Sequence, residues 1–351
     1  MSDQCRISAP ALQEFATEVF ARAGLPRDDA ATEAEVLVWA NLRGVDSHGV
    51  LRIPSYLRSI EVGGMNPRPN IRVERETPAT LLIEADHAFG PVVTKAAMRQ
   101  AIAKARHVGI GWAVIRNTTH QGAMAFYALM AAAEDMAGLT FVCNPPNMAP
   151  HGSRAAGVHN SPIAIAVPAK TREPLVLDMA TSIAAGGKVS LAVDKAVPIP
   201  LGWALDADGR PTTDATLAKI LMPSGGYKGS GLAMMFECLS SLMVGNPLLE
   251  AALLGGPAVR TGTQNSVVAA IDIATFTEVD EYKGHVDRLI EGIKGLPTAE
   301  GFSEVLVPGE LERRVRAERE RDGIPLPAGT VRNLREVAAR LEIPCPPDLQ
   351  N

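Results

Sequence analysis

The decapeptide from Arg43 to Arg52 combines a serine, a histidine and two arginines within ten residues. His48 titrates near neutral pH, so its side chain is suited to donating or accepting a proton. Arg52 can bind a planar carboxylate through two parallel hydrogen bonds. If the segment is helical, the spacing of four residues places His48 and Arg52 on one face. The decapeptide is therefore the first candidate for a chemical site.

Asp46, Ser47 and His48 are the residue types of a serine hydrolase triad, but their adjacency argues against that chemistry. Neighbouring residues of a helix or turn point in different directions. A triad is defined by mutual geometry and usually draws its members from distant parts of the chain. The sequence also has no GxSxG elbow. A serine-dependent hydrolase and a catalytically silent binding or scaffold protein are the alternatives from other classes.

Two further segments carry candidate groups. The run 117–122 follows an apolar strand and precedes a helical pattern, which predicts His120 at a strand-to-helix corner, as a functional side chain or a cap. The glycine-rich run 225–231 precedes an apolar segment, so its amides can present a helix N-terminus to an anion, with Lys228 adding charge. This run lacks the Walker A spacing, and a phosphate site and a tight turn both remain open. His159 is expected to have a structural role.

The elements that must position these groups change along the chain. The first 65 residues predict three helices, with Ser8 capping the first, Pro26 opening the second and Pro54 opening the third. From Ile71 onwards short apolar runs predict strands at 71–73, 81–83, 112–115, 139–143, 163–167, 175–177 and 267–273. Helical patterns lie between several of them, at 92–107, 123–136, 232–244 and 279–294.

After Pro308 the pattern is helical again, at 310–321 and at 331–341, where Thr330 is a candidate N-cap. The two helical ends are expected to pack together. The predicted fold class is therefore α/β, or α+β, with a central mixed sheet domain over 71–310 and a discontinuous helical domain from 1–70 plus 311–351. The GxGxxG signature of a Rossmann fold is absent.

Composition excludes several classes of function. The 351 residues are 46% hydrophobic and 21% charged, which is sufficient for one large core or two smaller ones. A net charge of −5 with 4% aromatic residues argues against nucleic-acid binding. The four cysteines lie far apart without metal-ligand or disulfide patterns, so no metal is expected and the reducing cytoplasm fits best. No uncharged run reaches the roughly 18 residues needed to span a bilayer, and the first residues lack an apolar signal region.

Six motifs lie in order between residues 43 and 310. They are Arg43-Gly44-Val45-Asp46-Ser47-His48-Gly49 with Arg52, Asn117-x-x-His120, Asp178-Met179-Ala180-Thr181-Ser182, Ile199-Pro200-x-Gly202-Trp203-Ala204-Leu205 with Pro211-Thr212-Thr213-Asp214, Gly226-Tyr227-Lys228-Gly229, and Val307-Pro308-Gly309-Glu310. With these motifs the chain resembles the malate/L-lactate dehydrogenase family of non-Rossmann NAD(P)-dependent oxidoreductases. Its relatives include ureidoglycolate and sulfolactate dehydrogenases, diketogulonate reductase, and a reductase of cyclic imine carboxylates.

The resemblance implies a division of the site into two ends. Ser47, His48 and Arg52 would form the substrate end, where Arg52 binds a carboxylate. His120 resembles a histidine that some members use as proton acceptor, whereas others use the histidine that matches His48; we rank His48 first and His120 second. The cofactor, NAD or NADP, would be lined by Asp178, Met179, Ala180, Lys228, Pro308, Gly309 and Glu310. The family also implies a homodimer and a sheet domain that is not a Rossmann fold.

Hydride transfer to a carbonyl carbon leaves negative charge on oxygen, and His48 would protonate that oxygen or deprotonate the alcohol in reverse. The implied substrate is a small 2-oxo or 2-hydroxy acid, and the alternative is a cyclic imine carboxylate. The chain departs from the family's cyclic-imine branch, which places an acidic residue near Lys188, because it has Gly186-Gly187-Lys188 there. It also has His159-Asn160-Ser161-Pro162 where the family often has Gly-Thr-Asn-Pro.

Overall fold

The computed structural model describes residues 5–194, 196–256, 260 and 262–350, and strands and helices alternate along most of this part of the chain. The strands are β1 (Cys5–Ile7), β2 (Arg72–Glu76), β3 (Thr80–Glu84), β4 (Ile110–Thr118), β5 (Met136–Cys143), β6 (Ile163–Val167), β7 (Leu175–Met179), β8 (Ala204–Leu205), β9 (Pro211–Thr212), β10 (Ile220–Leu221), β11 (Gln264–Asp272) and β12 (Ile324–Leu326). The helices are α1 (Ala9–Arg22), α2 (Arg27–Leu42), α3 (Ile53–Glu61), α4 (Gly90–Val108), α5 (Ala125–Ala132), α6 (Gly186–Asp194), α7 (Tyr227–Glu237), α8 (Leu249–Leu254), α9 (Val279–Lys294), α10 (Glu310–Asp322), α11 (Ala328–Leu341) and α12 (Pro347–Gln350).

A seven-stranded mixed sheet forms the centre, in the order β2-β3-β4-β11-β5-β6-β7. Only β3 and β4 pair in parallel, and the other neighbours in this sheet are antiparallel. Each of the seven predicted apolar runs overlaps one strand of this sheet. The predicted mixed α/β class is confirmed.

Helices α4 and α5 pack on the sheet through alanine-rich faces. Two glycines in the strands permit this close approach. A Cβ on Gly111 would lie 1.9 Å from the carbonyl oxygen of Ala101 in α4, and a Cβ on Gly138 would lie 2.2 Å from that of Ala128 in α5. Close packing of small residues therefore fixes α4 and α5 against the central sheet.

The two ends of the chain pack against each other. Strands β1 and β12 pair antiparallel, with Ile7 opposite Ile324. The Ser8 side chain caps α1 by accepting a hydrogen bond from the Ala11 N–H, as predicted. Helices α1, α2, α3 and α11 share one apolar core that includes both termini.

Several predicted helix boundaries are wrong. Helix α11 begins at Ala328 after Pro327, which supplies the N-cap in place of Thr330, because proline at that position presets an extended entry into the helix. The predicted helix over 123–136 is shorter, since Met136 already begins β5 and burial in the sheet overrides its helical propensity. Helix α7 begins five residues before the predicted start of 232 and continues as a π-helical turn over Cys238–Leu242.

One edge of the central sheet collects the chain segments that matter for the site. Strand β11 runs antiparallel to both β4 and β5, so its first residue lies beside their last residues. His120 follows β4, Asn144 follows β5, and Gln264 begins β11. Strand β7 runs parallel to β5 by way of β6, so Asp178 lies at the same edge.

Candidate active site

The segment that carries His48 is not one continuous helix, so the conditional argument that a helix would place His48 and Arg52 on one face does not apply. It consists of two short 3₁₀ turns, Asp46–His48 and Val50–Arg52, separated by an extended Gly49. The cause is Asn41 in α2, whose side-chain oxygen accepts a hydrogen bond from the Val50 N–H at 2.9 Å. A Cβ on residue 49 would lie 2.2 Å from that oxygen, so only glycine fits here.

Two histidines meet at the centre of the site. The imidazole rings of His48 and His120 lie 5.2 Å apart between centroids. The Ser47 hydroxyl lies 2.9 Å from His48 Nδ1, and the Tyr56 hydroxyl lies 2.5 Å from His120 Nδ1. Burial, followed by the nearby positive charge of Arg52, lowers the pKa of His48 to about 4. Burial also lowers the pKa of His120 well below its usual value. Both rings are therefore neutral at pH 7.

Arg52 is held by one edge of its guanidinium group. Its Nε donates a hydrogen bond to the Ser47 carbonyl oxygen at 2.7 Å, which keeps the side chain beside the histidine turn. Within the described part of the chain, its two terminal nitrogens have no partner. The outer edge of Arg52 is therefore free to bind a carboxylate with two hydrogen bonds.

Asp46 anchors the histidine turn to helix α10. Its carboxylate accepts hydrogen bonds from Arg319 Nη1 at 2.6 Å and Arg319 Nη2 at 3.0 Å. It also accepts one from Asn41 Nδ2 at 2.6 Å. Because α10 begins at Glu310, this ion pair connects the predicted cofactor turn to the turn that carries His48.

We expect the Arg319→Met variant to loosen the histidine turn. Loss of these charged hydrogen bonds should cost about 2 kcal/mol of unfolding free energy, and it should lower kcat/KM, because Ser47 and His48 lose their anchor. Denaturant unfolding and steady-state kinetics measure the two effects. Arg321→Met is the matched control, since among the described residues the salt bridge of Arg321 is with its exposed neighbour Asp322. Equal stability of the two variants would show that the Asp46 ion pair does not hold the turn.

A cavity of about 390 Å³ lies between α3 and the sheet edge. Among the residues that line it are Tyr56, His120, Asn144, Asn147, His159 and Thr263. The sequence did not identify Tyr56, Asn144, Asn147 or Thr263 as site residues. The position of Asn144 directly after an apolar strand is the one local signal that points to it. A larger, open depression of about 560 Å³ between Arg154 and Arg210 contains none of the predicted site residues.

His159, which was expected to be structural, also faces this cavity. Its Nε2 lies 3.1 Å from the Asn144 side chain, and the amide orientation that satisfies both groups has the Asn144 oxygen accepting from Nε2–H. Burial lowers the pKa of His159 to about 3, so the ring is a neutral hydrogen-bond donor to Asn144. This contact holds the Asn144 side chain in place at the end of β5.

Two predicted cofactor segments meet beside β7. Asp178 and Met179 end the strand, and Ala180 follows it. The Val176 N–H donates a hydrogen bond to the Pro308 carbonyl oxygen at 3.4 Å. Gly309 has a φ of 85°, and a Cβ there would lie 2.5 Å from Val176 Cγ1. Residues 308–310 therefore lie directly against the strand that ends in Asp178.

The carboxylate of Asp178 joins this cofactor side to the loop that follows His120. It accepts a hydrogen bond from the Ala125 N–H at the start of α5, at 2.9 Å. Surrounding protein atoms raise the pKa of the carboxyl to about 6, although the side chain is reached by solvent at one side. The Asp178 carboxylate is therefore attached to the start of α5, five residues after His120 in the chain.

Lys228 lies in the first turn of α7, the third predicted cofactor segment. The turn before it is attached to the residues after β7, because the Ser224 N–H donates to the Thr181 carbonyl oxygen at 2.8 Å. A Cβ on Gly229 would lie 2.3 Å from the same oxygen. The Lys228 side chain is exposed, and no partner is recorded for its ammonium group among the described residues.

Glu310 differs from the other predicted cofactor residues because its side chain is already engaged. The carboxylate is buried and accepts hydrogen bonds from Lys294 Nζ at 2.8 Å and from Arg314 Nη2 at 2.5 Å. The Lys294 hydrogen bond is the main reason why the pKa of Glu310 falls to about 2. The side chain therefore stabilises the turn that precedes α10, where it also accepts a hydrogen bond from the Val307 N–H.

Comparison with known proteins identifies the class. The family model described as malate/L-lactate dehydrogenase matches residues 7–335. The L-sulfolactate dehydrogenase of Methanocaldococcus jannaschii is 38% identical over 326 residues, which is 92% of this chain and 94% of that protein. The structure of malate dehydrogenase from Pyrococcus horikoshii has a TM-score of 0.88 at 33% identity, and the match covers 98% of this chain and 97% of that chain. The Δ1-piperideine-2-carboxylate reductase of Pseudomonas syringae has a TM-score of 0.82 at 28% identity, over 95% and 99% of the two chains.

The chain belongs to the malate/L-lactate dehydrogenase family, and it is an oxidoreductase of that class. The predicted resemblance is confirmed. The family implies a nicotinamide cofactor. Among the described residues, no helix is both long enough and apolar enough to cross a membrane. The same residues contain no cluster of three metal-ligating side chains.

Proposed function

We propose that the chain is a nicotinamide-dependent dehydrogenase that interconverts a small 2-hydroxy acid and its 2-oxo acid, as the family membership and the described site together support. The observation that carries this proposal is the free outer edge of Arg52 beside the His48 and His120 pair. A carboxylate bound there places the neighbouring carbon and its oxygen against the two imidazoles. The cofactor segments lie at the same edge of the sheet.

Each residue of the substrate end has a distinct role in this proposal. Arg52 binds the substrate carboxylate and orients it. His48 accepts the hydroxyl proton during oxidation, because its lowered pKa keeps the imidazole neutral at pH 7. Ser47 accepts a hydrogen bond from His48 Nδ1–H, which leaves Nε2 free to act as the base. His120, whose ring centroid lies 5.2 Å from that of His48, would contact the same substrate.

The cofactor side fits a dinucleotide by the chemistry of its donors. When bound, the nicotinamide supplies the hydride donor or acceptor. The ammonium of Lys228 and the amides at the start of α7 suit a phosphate group. Asp178 to Ala180, at the end of β7, and Pro308 to Glu310, which lie against Val176, would line the cofactor. NAD and NADP are both candidates.

A substrate screen tests the proposal. The purified protein is incubated with NAD or NADP and with malate, lactate, sulfolactate or ureidoglycolate, and the absorbance of the reduced nicotinamide is followed. We expect turnover of at least one 2-hydroxy acid with a preference for one cofactor. Binding of neither cofactor would overturn the proposal, and labelling of Ser47 by a serine-directed probe would favour a hydrolase.

The second candidate is a reductase of a cyclic imine carboxylate, favoured by the structural similarity to the Pseudomonas reductase. The surroundings of Ser47 argue against it. Gly187 lies so close that a Cβ there would be 2.5 Å from Ser47 Cβ, and no acidic side chain stands at positions 186–188. Turnover of piperideine-2-carboxylate with reduced cofactor, without turnover of any 2-hydroxy acid, would favour this candidate.

Lys228→Met should weaken cofactor binding about tenfold, because one charged hydrogen bond to phosphate is lost. Titration of NADH or NADPH fluorescence with the protein gives the dissociation constant directly. Lys219→Met is the matched control, since Lys219 is an equally exposed lysine that lies outside the predicted cofactor segments. If both variants bind the cofactor like the wild type, Lys228 is not a cofactor residue.

We also propose that the chain is a cytoplasmic homodimer. Leu232, Met235, Leu239 and Leu242 are all exposed at spacings of three and four residues, which is an apolar stripe suited to a second copy. The four cysteines are free thiols, as expected in a reducing compartment. Sedimentation equilibrium should give twice the chain mass. The division into 1–70 plus 311–351 and 71–310 is likewise a proposal, supported by the separate core of the terminal helices.

A further inference from the structure

His120 receives two hydrogen bonds at a single ring nitrogen. The Tyr56 hydroxyl lies 2.5 Å from Nδ1, and the Gly122 backbone N–H donates to the same atom at 3.2 Å. A backbone N–H can only donate, so Nδ1 must present its lone pair. The proton of the neutral imidazole is therefore on Nε2, and the Tyr56 hydroxyl is the second donor to Nδ1.

We propose that Tyr56 is a positioning residue that holds His120 in the Nε2–H tautomer, so that His120 donates a hydrogen bond to the substrate and proton transfer falls to His48. This inference rests on the proposed function, because it assigns the roles of the two histidines within that site. In this tautomer His120 has no free lone pair, since its single basic nitrogen already accepts two hydrogen bonds. It is a donor to an oxygen of the substrate and does not serve as the base.

Tyr56 is itself firmly held. Its ring is buried, and it packs edge-to-face on Phe89 with centroids 6.3 Å apart and an interplanar angle of 88°. Phe20 contacts both rings. Tyr56 also stands four residues after Arg52, so one short stretch of chain carries the carboxylate-binding group and the group that orients His120. Movement of Tyr56 away from His120 would have to disrupt this aromatic cluster.

The electrostatic surroundings favour the same protonation states. Burial, reinforced by the buried carboxyl of Glu33, raises the pKa of Tyr56, so the phenol keeps the proton that it donates. Positive charge on His120 is opposed by burial first and then by His48, Arg52 and His159, which lower the pKa of His120. A neutral imidazole with a fixed tautomer is thus stable across the physiological pH range.

His48 differs from His120 in the partner of its Nδ1 atom. The partner of His48 Nδ1 is a serine hydroxyl, which can accept or donate, so His48 is able to hold its proton on Nδ1 and offer Nε2 as a base. The partners of His120 allow only one arrangement. Of two imidazoles 5.2 Å apart, the structure leaves proton acceptance to His48 alone.

The test compares Tyr56→Phe with Tyr127→Phe in the full-length protein. Tyr127 is a matched control, because it is also buried and its hydroxyl donates to the Gln121 carbonyl oxygen at 2.5 Å, one residue from His120. The readouts are the ¹⁵N chemical shifts of the His120 ring nitrogens in histidine-labelled protein, and the pH dependence of kcat/KM. Circular dichroism checks that both variants are folded.

For the wild type and Tyr127→Phe we expect a protonated Nε2 and an unprotonated Nδ1. In Tyr56→Phe the short Tyr56 contact at 2.5 Å is lost and the longer Gly122 hydrogen bond of 3.2 Å remains, which is the weaker restraint on Nδ1. The two ¹⁵N signals should therefore move toward a mixture of tautomers, and kcat/KM should fall about tenfold, the equivalent of one hydrogen bond. A wild-type spectrum with the proton on Nδ1, or an unchanged tautomer in Tyr56→Phe, would overturn the inference. The wild-type ¹⁵N spectrum can be measured even if Tyr56→Phe does not fold or no 2-hydroxy acid is turned over. Failure of this inference about the tautomer is therefore distinguishable from failure of the proposed function.

Discussion

Replacing His48 with alanine should lower kcat for oxidation of a 2-hydroxy acid by about a hundredfold to ten-thousandfold, the usual contribution of a general base. The affinity for NADH or NADPH should change little, because the cofactor segments lie around β7 and not on the turn that carries His48. The effect is larger than that expected for His120, whose basic nitrogen already accepts hydrogen bonds from Tyr56 and Gly122.

Steady-state kinetics and fluorescence titration of the cofactor separate the two effects on the His48→Ala variant. His285→Ala is the matched control, since His285 is an exposed histidine on α9 whose contacts, within the described residues, are with Glu281 and Arg288 of the same helix. An unchanged kcat in His48→Ala, together with a large loss in His120→Ala, would reverse the roles of the two histidines.

Titration of His48 should make both kcat/KM and folding stability decrease at low pH. Burial lowers the pKa of His48 to about 4, and the neutral base exists above that value. The kcat/KM for oxidation should therefore hold through neutral pH and fall as pH drops through about 4. Because the unfolded chain binds this proton near the ordinary value of 6.5, folding stability should decline as pH falls from about 6.5 to about 4. In the His48→Ala variant, the contribution of this histidine to the pH dependence of kcat/KM and of folding stability should be absent.

The fold was predictable where the signal is local. The seven strands of the central sheet are short apolar runs between turn residues. Each of them can be predicted from its own local sequence, without knowing which strands lie beside it. The failures have non-local causes. The two 3₁₀ turns around Gly49 could not be predicted, because the Asn41 side chain, on α2, accepts a hydrogen bond from the Val50 N–H and occupies the space that a side chain at residue 49 would need. Met136 begins a strand because its side chain is buried in the apolar core of the central sheet.

The site was predictable only in part for the same reason. The family motifs pointed to Ser47, His48, Arg52 and His120, and these side chains do lie together. Asn144 and Thr263 line the cavity that His120 also lines, because β11 lies between β4 and β5, an order that the sequence does not reveal. Tyr56 lies 64 positions from His120, so its contact with that ring depends wholly on how α3 packs on the sheet edge.

Arg52→Lys should raise KM for a carboxylate substrate by about tenfold to a hundredfold, with a smaller decrease in kcat. Lysine keeps the positive charge but has no planar fork, so the two parallel hydrogen bonds to the carboxylate reduce to one. It also has no Nε–H for the Ser47 carbonyl oxygen, which now receives that bond at 2.7 Å, so the histidine turn loses a support. This second loss is the reason for the effect on kcat.

Initial rates over a range of substrate concentrations separate KM from kcat for this variant. Arg58→Lys is the matched control, because Arg58 is an exposed arginine on α3, six residues after Arg52, and is not one of the predicted site residues. A neutral substrate analogue without the carboxylate gives a further comparison, since its KM should be insensitive to Arg52→Lys if the guanidinium binds the carboxylate. An equal rise in KM for the analogue would mean that Arg52 acts only by supporting Ser47 and His48, and the substrate carboxylate would then need another binding group.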